Sequence, residues 1–141
     1  MSGLRVVLDT NVVVAAVRSR RGASFRVISE IGPGRFELVL SVPLFVEYED
    51  ALARARPPEL SLADVSVFLD YLCSEAHLQE IFYLWRPHLP DPKDDMVLEA
   101  AVAGQCAAIV THNGRHFEPA ATFGIRILRP FDFLRRLEVR S

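Results

Sequence analysis

The sequence predicts an α/β fold in which a central parallel sheet lies between helices on both faces, a three-layer α/β/α sandwich. Three observations carry this. The segments Leu4–Leu8, Phe36–Leu40 and Ala107–Val110 are short and mostly apolar without strict alternation, as in strands buried on both sides. Segments with helix-starting and helix-stopping residues lie between them. Parallel strands need crossovers of a dozen or more residues, and those intervals provide them.

The elements follow in order. Leu4–Leu8 runs directly into Asp9, Thr10 and Asn11. Val12–Arg18 reads as a short helix despite its β-branched residues, followed by the basic loop Arg18-Ser19-Arg20-Arg21-Gly22. Ala23–Ile31 is a second helix, stopped by Gly32-Pro33-Gly34. After the strand Phe36–Leu40, Ser41-Val42-Pro43 starts a helix with Pro in its first turn, which runs to about Arg56 before Pro57-Pro58. Ser61-Leu62-Ala63-Asp64 is a capping start for a helix to about Glu75. Leu78–Trp85 is expected to hold the third strand. Asp91-Pro92-Lys93-Asp94 opens a helix closed by Gly104, and the strand Ala107–Val110 ends in the turn Thr111-His112-Asn113-Gly114. Ile125–Leu128 is a last strand, and Pro130–Leu137 a closing helix.

Composition bounds the rest. At 141 residues, half of them hydrophobic, the chain is expected to be one domain, 1–141, with a sizeable core. A net charge of −2 gives no overall attraction to nucleic acid. The basic residues are Lys93 and 15 arginines, a side chain suited to bidentate contact with carboxylate and phosphate. Cys73 and Cys106 make no metal or disulfide pattern and are expected to be reduced, buried thiols. Neither a signal-peptide pattern nor a membrane-length apolar run is present, so the expected location is the cytoplasm.

Three acidic groups fall where strands enter helices, along one edge of the predicted sheet. Two readings of Asp9 stand side by side: a crevice carboxylate that meets a cation, and an N-cap of the first helix. Glu47 and Glu49 sit at opposite margins of the apolar stripe Leu44, Tyr48, Ala51, Ala55, and periodicity does not choose between them. In the third group, Asp91 has the look of an N-cap before Pro92, and Asp94 falls at N3. Capping accounts for both and leaves Asp95 without a structural task. Glu99 reads as a solvated or supporting residue, and His112 and His116 as loop or surface residues.

Several carboxylates in one crevice repel one another unless a cation neutralises them. Oxygen ligands suit Mg²⁺ or Mn²⁺, which activate water and stabilise in-line displacement at phosphorus. The Gly-rich phosphate loop, the G-x-S-x-G elbow and H-E-x-x-H are all missing.

These residues resemble the PIN-domain family of metal-dependent nucleases, and within it the toxin components of bacterial toxin–antitoxin modules. The resemblance rests on Val7-Leu8-Asp9-Thr10-Asn11, on Ser41-Val42-Pro43 through Glu47-Tyr48, on Asp91–Asp95 leading to Leu98-Glu99-Ala100-Ala101, and on Ile109-Val110-Thr111-His112-Asn113. It implies a PIN-like, Rossmann-like topology and a Mg²⁺ or Mn²⁺ site with Asp9, Glu47 and Asp95 as principal acidic residues. Thr10 and Asn11 would hydrogen-bond around Asp9, and Thr111 would orient groups at the fourth site. Many members carry an acid where this chain has Asn113, and often another near His116. Asn113 and Asp94 are therefore secondary metal candidates, and one metal or two is left open.

The function so implied is an endoribonuclease leaving a 5′-phosphate and a 3′-hydroxyl, with Arg18, Arg20, Arg21 and Arg26 leading the RNA to the site. A small antitoxin and a homodimer are the expected protein partners. Arg126, Arg129, Arg135, Arg136 and Arg140 offer a second basic surface for an acidic antitoxin. The alternative is a PIN-like binding module with weak or no catalysis, which Asn113 favours. A phosphatase with Asp9 as nucleophile is disfavoured, because Asn11 stands where such enzymes carry a second Asp.

Overall fold

A computed structural model of the chain describes residues 4–81, 89 and 91–140, with the side chains of 92, 139 and 140 left undescribed. Its sheet has the order β3-β2-β1-β4-β5, with every pairing parallel. The strands are β1 (Arg5–Leu8), β2 (Glu37–Leu40), β3 (His77–Leu78), β4 (Ala108–Val110) and β5 (Arg126–Leu128). Register is set by apolar pairs at the centre, Val6 opposite Leu38 and Val7 opposite Ile109. Val6, Val7, Leu8, Leu38, Val39, Ile109 and Val110 are wholly buried, which is why these strands read as continuous apolar runs. The chain moves outward from β1 to β3, then returns to the other side of β1 for β4. That reversal between β1 and β4 is the point where open α/β sheets form a crevice at the carboxyl ends of the strands.

Helices α1 (Thr10–Arg18), α2 (Ala23–Ser29), α3 (Val42–Ala55), α4 (Leu62–Glu75), α5 (Pro92–Ala103) and α6 (Pro130–Arg140) complete the α/β/α arrangement. α1 packs on α2 and α3, and α3 on α4. α5 lies across β1, β2 and β4, while α6 returns to α2. Their starts follow the residues that announced them. Ser41 caps α3 with Pro43 in the first turn, and Ser61 and Asp64 form a reciprocal capping box on α4. Asp91 caps α5 through Lys93 N at 3.0 Å.

Several boundaries differ from expectation. α1 begins at Thr10 and not Val12, because Asp9 itself is the N-cap and the helix opens immediately after it. α2 ends at Ser29, two residues before Ile31, with Glu30 as its C-cap. β3 starts at His77, straight after α4, while residues 82–85 of the expected third strand lie outside the described residues. A 3₁₀ run over Gly114–Phe123, which the sequence did not announce, replaces a simple turn. Pro119 inside it removes a donor, and Gly124 closes it at φ 75°, where only glycine is unstrained. Of the thiols, Cys106 is buried and Cys73 half-buried, and both are free. Burial pushes the Cys106 thiol up to about 12, so it is inert. Among the described residues no helix is long and apolar enough to cross a membrane.

The end of β1 is tied to α3 by one buried contact. The Tyr48 hydroxyl donates to the carbonyl of Leu8, the residue before Asp9, and Tyr48 is wholly buried. Tyr48→Phe keeps the ring and removes the donor, leaving a buried carbonyl short of a partner. The expected loss is ~1–2 kcal/mol with an unchanged denaturant slope, read by urea unfolding.

Candidate active site

Asp9 and Thr111 follow the two central strands directly, so the parallel pairing of β1 with β4 brings them together across 102 positions of sequence. The backbone N–H of Asp9 donates to Val110 O at 2.8 Å, which continues the ladder one residue beyond β1. The Thr111 hydroxyl donates to Asp9 Oδ2 at 2.6 Å, and Thr10 N donates to Oδ1 at 2.8 Å. Of the two readings of Asp9, the N-cap is seen at Oδ1, while Oδ2 meets the Thr111 hydroxyl after β4. Thr111 also accepts from Asn113 N at 3.0 Å, and Asn11 Oδ1 accepts from His112 N at 3.3 Å. The loop after β4 is pinned to the start of α1 through these bonds.

Asp9, Glu47, Asp94, Asp95 and Glu99 are all buried, none more than 9 % exposed. Burial raises Asp9 above the usual carboxyl range, against hydrogen bonds from Thr111 and Thr10 and the nearby His116 and His112. Asp94 rises further, to about 6. Burial is the main cause, the charges of Asp9 and Asp91 add to it, and His116 opposes it. Asp94 Oδ2 is buried, with His116 Nδ1 3.3 Å away.

The structure separates the two neighbouring aspartates. Asp94 faces the charge of Asp9, whereas Asp95 accepts from the backbone N–H of Leu89 at 2.8 Å, in a buried contact that fixes the chain ahead of α5. One oxygen of Asp95 thereby has a structural task, and the residue stays among the candidate site residues with Asp9 and Glu47. Periodicity could not separate Asp94 from Asp95, because both stand in the first turn of a helix packed on several sides. Glu47 is buried on α3 while Glu49 is exposed, a choice that the helical pattern had left open. Glu99 is buried, so it does not belong to a solvated flank. Asn113 is exposed and makes no side-chain cap for the 3₁₀ run. Arg18, Arg20, Arg21 and Arg26 are exposed. Arg18 and Arg20 line a cleft of about 450 Å³ with Val17, Phe25, Leu60 and Phe68. They lie at the far end of α1, about 13 Å along the axis from Asp9.

Sequence reasoning passed over His116, which lies against Asp94. The departure from the family at that position was the available signal. Among the described residues no three His, Cys, Asp or Glu side chains form a preformed metal cage. Mg²⁺ and similar ions need only one or two carboxylates, with waters and substrate phosphates completing the shell. Asp9 and Asp94, both buried carboxyls raised by burial, suit such an open site.

The strained ionisation of Asp94 makes a stability prediction in metal-free buffer. Its carboxyl is held neutral to about pH 6 in the folded chain, against an ordinary 3.8, so the unfolded chain releases that proton first. Stability then falls as pH rises through this window, and the penalty is complete above it. Asp94→Asn is expected to raise Tm at neutral pH by about 3 °C, the effect of ~1 kcal/mol in a domain of this size. The gain should vanish below the ordinary carboxyl value, as read by thermal melts across pH.

Comparison with known proteins agrees with the architecture. The family model described as PIN domain matches residues 5–115. Among curated proteins no sequence matches. The fold is similar to that of VapBC2 from Rickettsia felis, solved bound to a DNA fragment from their promoter. The TM-score is 0.61 at 12% identity, over 88% of this chain and 98% of the other. It is also similar to VapBC-1 from nontypeable Haemophilus influenzae, with TM-score 0.59 and 14% identity over 91% and 99%. With most of its length matched by that family model and its five parallel strands in the order described, the chain belongs to the PIN-domain family.

Proposed function

We propose that this chain is a divalent-cation-dependent ribonuclease that hydrolyses RNA phosphodiester bonds, and that it acts as the toxin of a toxin–antitoxin pair. The observation that carries the reading is the juxtaposition of Asp9 and Asp94 at the reversal of the sheet. Both carboxyls are buried and raised, and one oxygen of Asp94 meets the His116 imidazole. Such an arrangement is costly for a chain with no cation to receive, and it stands in a family that the sequence resemblance links to metal-dependent nucleases.

Asp9, Asp94 and Glu47 would hold Mg²⁺ or Mn²⁺, with Asp9 as the fixed member because Thr111 and Thr10 set both its oxygens. When bound, the ion supplies Lewis-acid polarisation of the phosphoryl group and an activated water. Thr111 orients Asp9, and Asn11 holds the His112 backbone beside it. Asp95, whose Oδ1 accepts from Leu89 N, would be a further carboxylate of the same set. Asn113 remains a secondary neutral donor at the mouth. Arg18, Arg20 and Arg21 would contact phosphates, which place a strand without reading its sequence. The similar structures are of VapBC assemblies, which supports a protein partner such as a small antitoxin; a homodimer is the expected state of the chain.

Cleavage of a labelled single-stranded RNA should require Mg²⁺ or Mn²⁺ and stop with a chelator. Asp9→Asn and Asp94→Asn should each lower the rate at least ~100-fold, the order of loss when a reacting group is misplaced. Asp95→Asn should lower the rate as well, and also Tm through its bond to Leu89 N. A rate that survives Asp9→Asn, or one indifferent to chelator, would falsify the nuclease reading. RNA or partner binding without cleavage is the outcome of the binding-module alternative, which the exposed Asn113 favours.

A further inference from the structure

We infer that the outer edge of β5 receives an acidic, extended segment of a partner protein as a sixth strand, held by the arginines beside it. The inference names a docking chemistry for a protein partner and does not depend on the carboxylate site.

β5 is the last strand of the sheet. Arg126 N donates to Ala107 O at 3.0 Å, and Leu128 O accepts from Thr111 N at 2.9 Å, so residues 126 and 128 face β4. In a parallel ladder the residue between them turns both its backbone groups the other way. The N–H and C=O of Ile127 therefore point outward, where no described residue meets them. An added protein strand supplies both an acceptor and a donor there, whereas a row of phosphates supplies acceptors only.

Two clefts flank this edge and share Gly124, Arg126 and Leu128. One, of about 810 Å³, opens against α6 and carries Arg126, Arg135 and Arg136 with a single acid, Asp132. The other, of about 700 Å³, lies against the 3₁₀ run, where Arg115 and Glu118 stand beside Ala121, Ile125 and Ile127. Arg115, Arg126, Arg135 and Arg136 thus outnumber Asp132 and Glu118, a local positive excess in a chain of net charge −2. Among the described residues none of these arginines makes an ion pair. The Arg135 guanidinium stands 6.0 Å from the centre of the Phe131 ring, one turn earlier on α6, which steadies it.

Alternation along the strand sets the pattern of the guest. The Ile127 side chain turns toward the 3₁₀ run, its Cγ2 3.4 Å from the place a Cβ on Gly114 would take. Arg126 lies on the other face of β5. A strand added alongside would place acids at every second position near Arg126, Arg135 and Arg136, and apolar residues near Ile127 and Ala121. A second copy of the chain fits poorly. Pairing two β5 edges sets Arg126 against its own kind, the device by which charged edges keep apart.

The probe is a fluorescent peptide of alternating Glu and Val, added to the full chain with chelator and without RNA. Anisotropy reads its affinity, and NMR reads amide exchange. Binding should weaken with salt, and exchange of the Ile127 N–H should slow. Arg126→Gln combined with Arg136→Gln should weaken binding on the order of tenfold, the joint effect of exposed charge pairs. Two further peptides carry N-methyl groups, one on every Glu amide and one on every Val amide. Only one series of amides can face β5, so one of these peptides should lose binding and the other keep it. Circular dichroism checks that the variant is folded.

Binding indifferent to both methylations, or equal for a peptide with the same residues in two blocks, would reduce the contact to charge and overturn the added strand. Absence of binding, equal binding of an alternating Lys and Val peptide, or binding unchanged in the arginine variant would overturn the surface itself. Displacement of the peptide by polyuridine at equal charge would reassign these arginines to RNA. Cleavage by the same preparation is read separately, so failure of the nuclease reading leaves these outcomes as they stand.

Discussion

The hydrogen bond from Thr111 to Asp9 is the contact on which the rest of the site depends. It joins the ends of β1 and β4, neighbours in the sheet that are 102 residues apart in the chain. A buried carboxylate is costly unless donors meet it, and Asp9 has two, one from each side of the sheet reversal. The same bond ties the helix cap of α1 to the loop after β4. Local and long-range structure are therefore set by one side chain.

Around that anchor the protein sorts its acids by partner. Asp91 caps a helix at the surface, Asp95 secures a backbone amide, and Asp94 is left facing Asp9 and His116. Three aspartates within five positions thus acquire three different surroundings. The cost falls on Asp94, which keeps its proton to about pH 6 because burial and two negative neighbours outweigh one imidazole. Perturbed carboxyls of this kind gather at functional sites, and the arrangement marks the place to look for a cation.

Tyr48 shows how far the frame supports the site. Its hydroxyl fixes the carbonyl one residue before Asp9. Glu47 and Glu49 flank Tyr48 on opposite sides, so its burial alone does not choose between them; in the packed helix Glu47 is buried and Glu49 exposed.

The sequence alone determined the parallel sheet, because uninterrupted apolar runs such as Val6-Val7-Leu8 suit only strands covered on both faces. It also determined most helix starts, since Ser41, Ser61 and Asp91 act within a turn of themselves. The PIN resemblance was legible for the same reason: motif order follows chain order. What only the tertiary structure decided lies in contacts across the chain. Asp94 and Asp95 are adjacent on one helix with equal propensities, and their difference comes from Asp9 on one side and Leu89 on the other. His116 looked like a loop histidine until the 3₁₀ run carried it to Asp94. Periodicity describes one element at a time; which side chains meet is set by the packing of several.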